Sequence, residues 1–234
     1  MIEEEIVHIK GHPKKLIVFF HGYIDSPEYV DEKIAPLIDG LDNIAVHIPK
    51  SPIPCEIYPK KFQWYSMHRF DDNDDRKTVA TLKECVDIYS RMKPGIMEAY
   101  NMVSEYIDNL LNEYGLADED LYLCGYSQGA TLAIFTALMR EHKIAGLLSF
   151  SGIIAPYEYL LQNHKSSPNT LLVHGNIDNQ VRFEALDFTK ENLEKNGCRV
   201  KTYVVENGQH RISDEAVSEG YKFILENLIE KVAV

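Results

Sequence analysis

The chain has no apolar run long enough to cross a bilayer. Its amino terminus, Met1-Ile2-Glu3-Glu4-Glu5, is acidic where a secretory leader would be basic. Neither secretion nor integral membrane association is expected, and the expected location is cytoplasmic. Positive charge is also scarce. Lys+Arg 24 against Asp+Glu 36 leaves a net charge of −12, which argues against nucleic acid and against docking on anionic membranes through a basic patch. Cysteines are few and scattered, at Cys55, Cys85, Cys124 and Cys198, with no C-x-x-C pair. That pattern reads as free thiols, not as a disulfide frame or a zinc site. No His-Glu-x-x-His is present. The acidic run Asp71-Asp72-Asn73-Asp74-Asp75 lacks the alternating spacing and the glycine of a calcium loop, so it reads as a solvated surface turn. Neither a metal nor a cofactor is expected. Internal repeats, low-complexity tracts and linkers are missing too, so residues 1–234 read as one domain, long enough to bury a full core.

Strands and helices alternate along almost the whole chain. Residues 4–10 alternate apolar and polar, as a half-exposed strand does. Leu16-Ile17-Val18-Phe19-Phe20 is a continuous apolar run of the kind found in strands buried on both faces. Ser26-Pro27 opens a helix that runs to about Asp39 before Gly40. A strand over 43–48 follows. Helices are expected over 78–91, 96–114, 130–140 and 183–195, the first two parted by Pro94-Gly95. Strands are expected over 120–124, 144–150, 170–174 and 200–205, with Ser151-Gly152 opening a loop. Ser213-Asp214-Glu215 caps a last helix reaching about Lys231. Such alternation predicts an α/β fold, with a mostly parallel central sheet and helices on both faces. Segment 49–77 is the exception. It carries Pro49, Pro52, Pro54 and Pro59 and the aromatic knot Phe62, Trp64 and Tyr65, and reads as a pocket wall or a lid.

One stretch organises the rest. Gly125-Tyr126-Ser127-Gln128-Gly129 is a G-x-S-x-G pattern between a β-prone segment and an apolar helix without Gly or Pro. Strand, turn and helix are the context a nucleophile elbow requires. The glycines leave room where strand and helix nearly collide, and the helix aims its positive end at the serine. In a parallel sheet, ligands bind beyond the carboxyl ends of the strands. Four strands here end in His21-Gly22, Ser127, Asp178 and His210. Ser127, Asp178 and His210 follow the chain order of an α/β-hydrolase. Serine needs a base within hydrogen-bond reach, which makes His210 the base and Asp178 the group that orients it. His21 and His174 also precede glycines at strand ends, but they sit in apolar runs and read as structural histidines. The oxyanion donors are expected to be the N–H of Gln128 and an N–H from the turn after His21-Gly22.

Five blocks in order resemble the phospholipase/carboxylesterase family of α/β-hydrolases, which includes the acyl-protein thioesterases. They are Phe20-His21-Gly22 through Asp25, then Gln63-Trp64-Tyr65, then the elbow with its Gln128. After these come His174-Gly175-Asn176-Ile177-Asp178 and Gly208-Gln209-His210. The resemblance implies cofactor-free hydrolysis of carboxylic esters or thioesters, on small-molecule or protein-linked acyl substrates. It implies the Tyr23 N–H as the second oxyanion donor, and an acyl groove bordered by the segment around Trp64, with Trp64 either a substrate contact or a plain core residue. Two departures bear on the substrate. The family's Leu-Gly-Asp is Tyr23-Ile24-Asp25 here, which makes Ile24 a candidate substrate contact. After Asp178, a Val/Pro-rich stretch is replaced by Asn179-Gln180-Val181-Arg182.

The expected function is a serine hydrolase acting on acyl esters or thioesters through an acyl-enzyme. The same machinery on a lactone or peptide, or a non-catalytic binding protein, are the alternatives. Acyl length and oligomeric state, a homodimer included, stay open.

Overall fold

Side-chain alternation along strand β2 (Lys15–Phe20) decides how the sheet is buried. Leu16, Val18 and Phe20 enter one hydrophobic cluster and Ile17 and Phe19 another, because successive residues of a strand point to opposite faces. A strand apolar on both sides must be covered on both sides. The computed structural model describes residues 2–230; Met1 and residues 231–234, including the expected helix end at Lys231, lie outside them.

Among the described residues seven strands form one sheet. Besides β2 they are β1 (Glu5–Lys10), β3 (Ile44–Pro49), β4 (Leu121–Tyr126), β5 (Gly146–Phe150), β6 (Thr170–Gly175) and β7 (Val200–Val205). Their order is β1-β3-β2-β4-β5-β6-β7. Only β1 runs antiparallel, pairing Glu5 with Pro49 through Lys10 with Ile44 at the sheet edge. Its alternate residues are exposed, as expected of a half-exposed strand, but the outward side chains are Glu5, Val7 and Ile9, so the open face is mainly apolar.

Helices α1 (Pro27–Asp39) and α7 (Asp214–Glu230) cover the face of Ile17 and Phe19, burying Val30, Ile34, Val217 and Phe223 there. The opposite face is covered by α2 (Leu82–Arg91), α3 (Lys93–Tyr114), α4 (Gln128–Met139), α5 (Tyr157–Asn163) and α6 (Ala185–Lys195). Each fully buried Leu, Ile or Phe in these layers contributes about 1.5–3 kcal/mol. Helix α4 is buried along its whole length, between the sheet and α3. Among the described residues no helix is long and apolar enough to cross a membrane.

Several local expectations are corrected. Helix α2 begins at Leu82, not at residue 78, because Thr81 and Glu84 form a reciprocal capping box that sets its start. Pro94-Gly95 does not break a helix but sits in the first turn of α3, where a missing N–H costs nothing. Gly95 is needed there for close approach: a Cβ on it would lie 2.9 Å from Tyr65 Cβ. Helix α5 gives no signal in the sequence because seven residues are too few to show a period. Ser26 has the extended backbone of an N-cap, yet its side chain makes no capping bond. The acidic run is not wholly a solvated turn. Asp71 is buried against the buried Arg76, at 2.5 Å, and accepts from the Asp75 N–H.

Because β2, β4, β6 and β7 run parallel, their carboxyl ends share one edge of the sheet. The residues that follow those ends are the His21 loop, Ser127, Asp178 and His210.

Candidate active site

Ser127 joins β4 to α4 with φ 55° and ψ −117°, a conformation that costs a non-glycine residue about 1–3 kcal/mol. The surroundings hold it there. Its N–H donates to Phe150 O at 2.9 Å, and its carbonyl accepts from Ala130 N and Thr131 N at 3.0 and 3.1 Å. The flanking glycines are required by backbone, not by side chains. A Cβ on Gly125 would lie 2.3 Å from Gly129 O, and one on Gly129 2.2 Å from Phe20 O.

The Ser127 hydroxyl donates to His210 Nε2 at 2.8 Å, and His210 Nδ1 donates to Asp178 Oδ2 at 2.7 Å. The loops carrying the acid and the histidine touch backbone to backbone: Ile177 N donates to Gly208 O at 3.1 Å, and a Cβ on Gly175 would lie 2.2 Å from that oxygen. Asp178 Oδ1 accepts from the N–H groups of Gln180 and Val181, at 2.8 and 3.0 Å. Burial pushes the Asp178 carboxyl up, but the His210 hydrogen bond and charge and the two backbone donors outweigh it, leaving it below the usual carboxylate range. It therefore stays an anion beside the imidazole.

Tyr126 holds His210 from behind. Its hydroxyl donates to His210 O at 2.9 Å, and its ring lies 5.0 Å from the imidazole. Nothing in the spacing of the elbow marks this role, since Tyr126 is the variable residue of the motif.

The two other strand-end histidines are buried, as expected. His21 Nδ1 donates to Gly22 O at 2.8 Å and Nε2 accepts from Ser51 N at 3.1 Å. Burial pulls its pKa down from 6.5 to about 4. His174 Nε2 donates to Val181 O at 3.0 Å and lies 3.5 Å from Asp178 Oδ2, so it braces the acid loop. Burial lowers its pKa as well.

Gln128 is the first residue of α4, so its N–H has no carbonyl one turn back within the helix. Its side chain has a separate task. Oε1 accepts from Trp64 N and Nε2 donates to Tyr65 O, both at 2.8 Å, pinning segment 49–77 to the elbow. Tyr23 follows His21-Gly22, and its hydroxyl accepts from Cys55 Sγ at 3.2 Å.

Ser127 and His210 open onto a cleft of about 430 Å³. Tyr23 and Ile24 line it, Ile24 at positive φ (53°) and 38% exposed at its mouth. Segment 49–77 supplies Ile57, Tyr58, Met67, Asp74, Arg76 and Lys77. Trp64 is not among the lining residues. It is fully buried, donating Nε1–H to His21 O at 2.9 Å with its ring 5.1 Å from that of Phe20. An indole whose N–H has a buried acceptor and whose faces are packed has no surface left for a substrate, so of the two readings of Trp64 the substrate contact is corrected and the core residue stands. Tyr89 and Arg76, which do line the cleft, were not singled out because helical periodicity and charge alone do not reveal which side chains reach a distant serine.

The model of the phospholipase/carboxylesterase family matches residues 1–228. A curated relative, acyl-protein thioesterase 1 of Candida albicans, is 22% identical over 93% of this chain and 94% of its own. Among solved structures, esterase PE8 superposes with a TM-score of 0.81 at 22% identity, covering 95% of this chain and 97% of its own. Acyl-protein thioesterase 2 of Zea mays gives 0.71 at 22% identity, covering 96% and 99%. Both likenesses show a shared α/β-hydrolase fold.

Proposed function

The chain belongs to the phospholipase/carboxylesterase family, a hydrolase family of the esterase and thioesterase type, and from that premise we propose that it cleaves acyl esters or thioesters through an acyl-enzyme on Ser127. The observation that carries the proposal is the continuous hydrogen-bonded series Ser127–His210–Asp178, at 2.8 and 2.7 Å, whose Ser127 and His210 line the cleft.

In this reading His210 Nε2 takes the hydroxyl proton as Ser127 Oγ attacks the acyl carbonyl carbon. Asp178 stabilises the imidazolium that forms. The carbonyl oxygen becomes an oxyanion, held by the backbone N–H groups of Gln128 and Tyr23 and by the positive end of α4. His210 then gives the proton to the departing alcohol or thiol, which leaves the acyl group on Ser127. Water enters, loses a proton to His210 and attacks the acyl carbon. The acid departs and Ser127 recovers its proton. No step calls for a cofactor.

The chain acts as one domain in this proposal, with segment 49–77 as a wall of the cleft. A cytoplasmic location accompanies it, supported by four free, buried cysteines.

Ser127→Ala tests the mechanism. Turnover of p-nitrophenyl acetate should fall by about 10⁴-fold or more while the unfolding midpoint holds or rises, since the strained position is kept but the nucleophile is gone. Retained turnover would sink the proposal.

A further inference from the structure

We infer that the cleft selects a compact, planar acyl group of about benzoyl size over a long alkyl chain, an inference that rests on the esterase reading above. The space beneath the oxyanion loop is already filled. Trp64 and Tyr65 are buried there, Trp64 against Phe20 and His21, and Tyr65 against Gly95. An acyl chain has to lie along the open cleft instead.

The walls of that cleft suit rings better than methylenes. Tyr23, Tyr29, Tyr58, Tyr89 and Tyr126 line it. Asp25, Asp74, Arg76 and Lys77 line it too. The last three are joined: Arg76 pairs with Asp74 at 2.6 Å, and Lys77 pairs with the same carboxylate at 3.0 Å. The aliphatic lining is Ile24, Ile57, Met67 and Val181, of which Ile24 and Ile57 are 38% and 51% exposed. Four aliphatic side chains thus share the cleft with five tyrosines and four charged groups.

A methylene gains about fourfold in affinity when it leaves water for an apolar wall. Over Asp74 and Lys77 that gain is cancelled, because covering part-exposed charges strips water that an alkyl chain does not replace. A planar aromatic acyl group meets tyrosine rings, and such a pairing adds about three- to tenfold beyond the area it buries.

The test compares p-nitrophenyl acetate, benzoate, heptanoate and palmitate. Each kcat/KM is divided by the hydroxide-catalysed rate constant of the same ester, so that intrinsic reactivity drops out. Benzoate and heptanoate have equal carbon counts, which isolates shape from size. Benzoate is expected to exceed heptanoate by about three- to tenfold, with palmitate lowest. Heptanoate equal to or above benzoate, or a rise from heptanoate to palmitate, overturns the inference and leaves the esterase reading standing. Hydrolysis of none of the four overturns both. Lys77→Met supplies a second arm. Replacing one wall charge by an apolar chain should raise the heptanoate-to-benzoate ratio about two- to fourfold, and an unchanged ratio overturns the assignment of that wall to the acyl group.

Discussion

The elbow around Ser127 and the wall made by segment 49–77 face each other across one cleft, but different physics holds them. At the elbow the constraint is steric and local. Gly125 and Gly129 lie four residues apart, and each is kept small by a backbone oxygen within 2.3 Å of where its Cβ would be. In the wall the constraint is polar and long-range. Ser51 Oγ donates to Gln63 O, Ser51 N donates to His21 Nε2, and Gln128 reaches across to the backbone of Trp64 and Tyr65. A segment rich in proline lacks some of the N–H groups a continuous ladder needs, so it closes on itself only in short turns, such as Cys55 N to Lys61 O and Gln63 N to Ile53 O, and is tied to the elbow side by His21 and Gln128. The elbow can be specified by a five-residue motif; the wall needs partners from two other parts of the chain, His21 and Gln128.

Breaking each side should expose the difference. The largest effect is expected at Gly129→Ala, where a methyl must displace the backbone of Phe20 and His21. Stability should fall by about 3 kcal/mol or more, with activity lost in parallel, as a urea titration and an ester assay will report. Gln128→Ala acts on the wall instead. It leaves two buried backbone groups without partners, at about 1–3 kcal/mol each. Here the loss should be uneven: KM rises more than kcat falls, because the Gln128 N–H is still in place while the Tyr58 and Met67 side of the cleft is released. Equal losses in both would mean that wall and elbow are one unit.

Acid should separate them most gently. His21 is neutral in the fold, with a pKa drawn from 6.5 to about 4 by burial. Above 6.5 neither the folded nor the unfolded chain holds its proton, and the full stability is present. Between 6.5 and 4 the unfolded chain takes up a proton that the fold refuses, so stability declines as pH falls, by up to about 1.4 kcal/mol per pH unit. Below 4 the folded His21 is protonated as well and the decline from this group ends. His174, also lowered by burial, adds to the same slope. Urea midpoints measured from pH 7.5 to pH 4 should follow this curve, and His21→Gln should flatten it. A midpoint independent of pH would contradict the neutral, buried assignment. Protonated His21 can no longer accept from Ser51 N, so the start of segment 49–77 should loosen before the elbow does.

The sheet, its buried strands and the chain order of Ser127, Asp178 and His210 were legible because each is a local signal. A period of two, a period of 3.6, a glycine spacing and a strand end can all be read within a dozen residues. Errors fell where a local signal had two meanings. Pro94-Gly95 reads as a breaker and is equally good as a first turn. Trp64 could be read as a groove residue or as core, and whether an indole faces a cavity or a core depends on what lies behind it; here His21 O accepts its N–H. The acidic run looks solvated until Arg76, five residues beyond Asp71, folds back to it.

By itself, then, the sequence determined which backbone turns had to be tight and which side chains end the strands, since those depend on neighbours along the chain. Only the tertiary structure decided what surrounds them: that Tyr126 clamps His210, that Gln128 fastens the wall, and that the cleft is faced with tyrosines and a bonded group of charges. The charges of Asp74, Arg76 and Lys77 are neighbours in sequence, but the first two contacts join residues 60 or more apart, Gln128 with Trp64 and Tyr126 with His210. No period or motif spans such a distance, because only packing of the finished sheet brings the partners together.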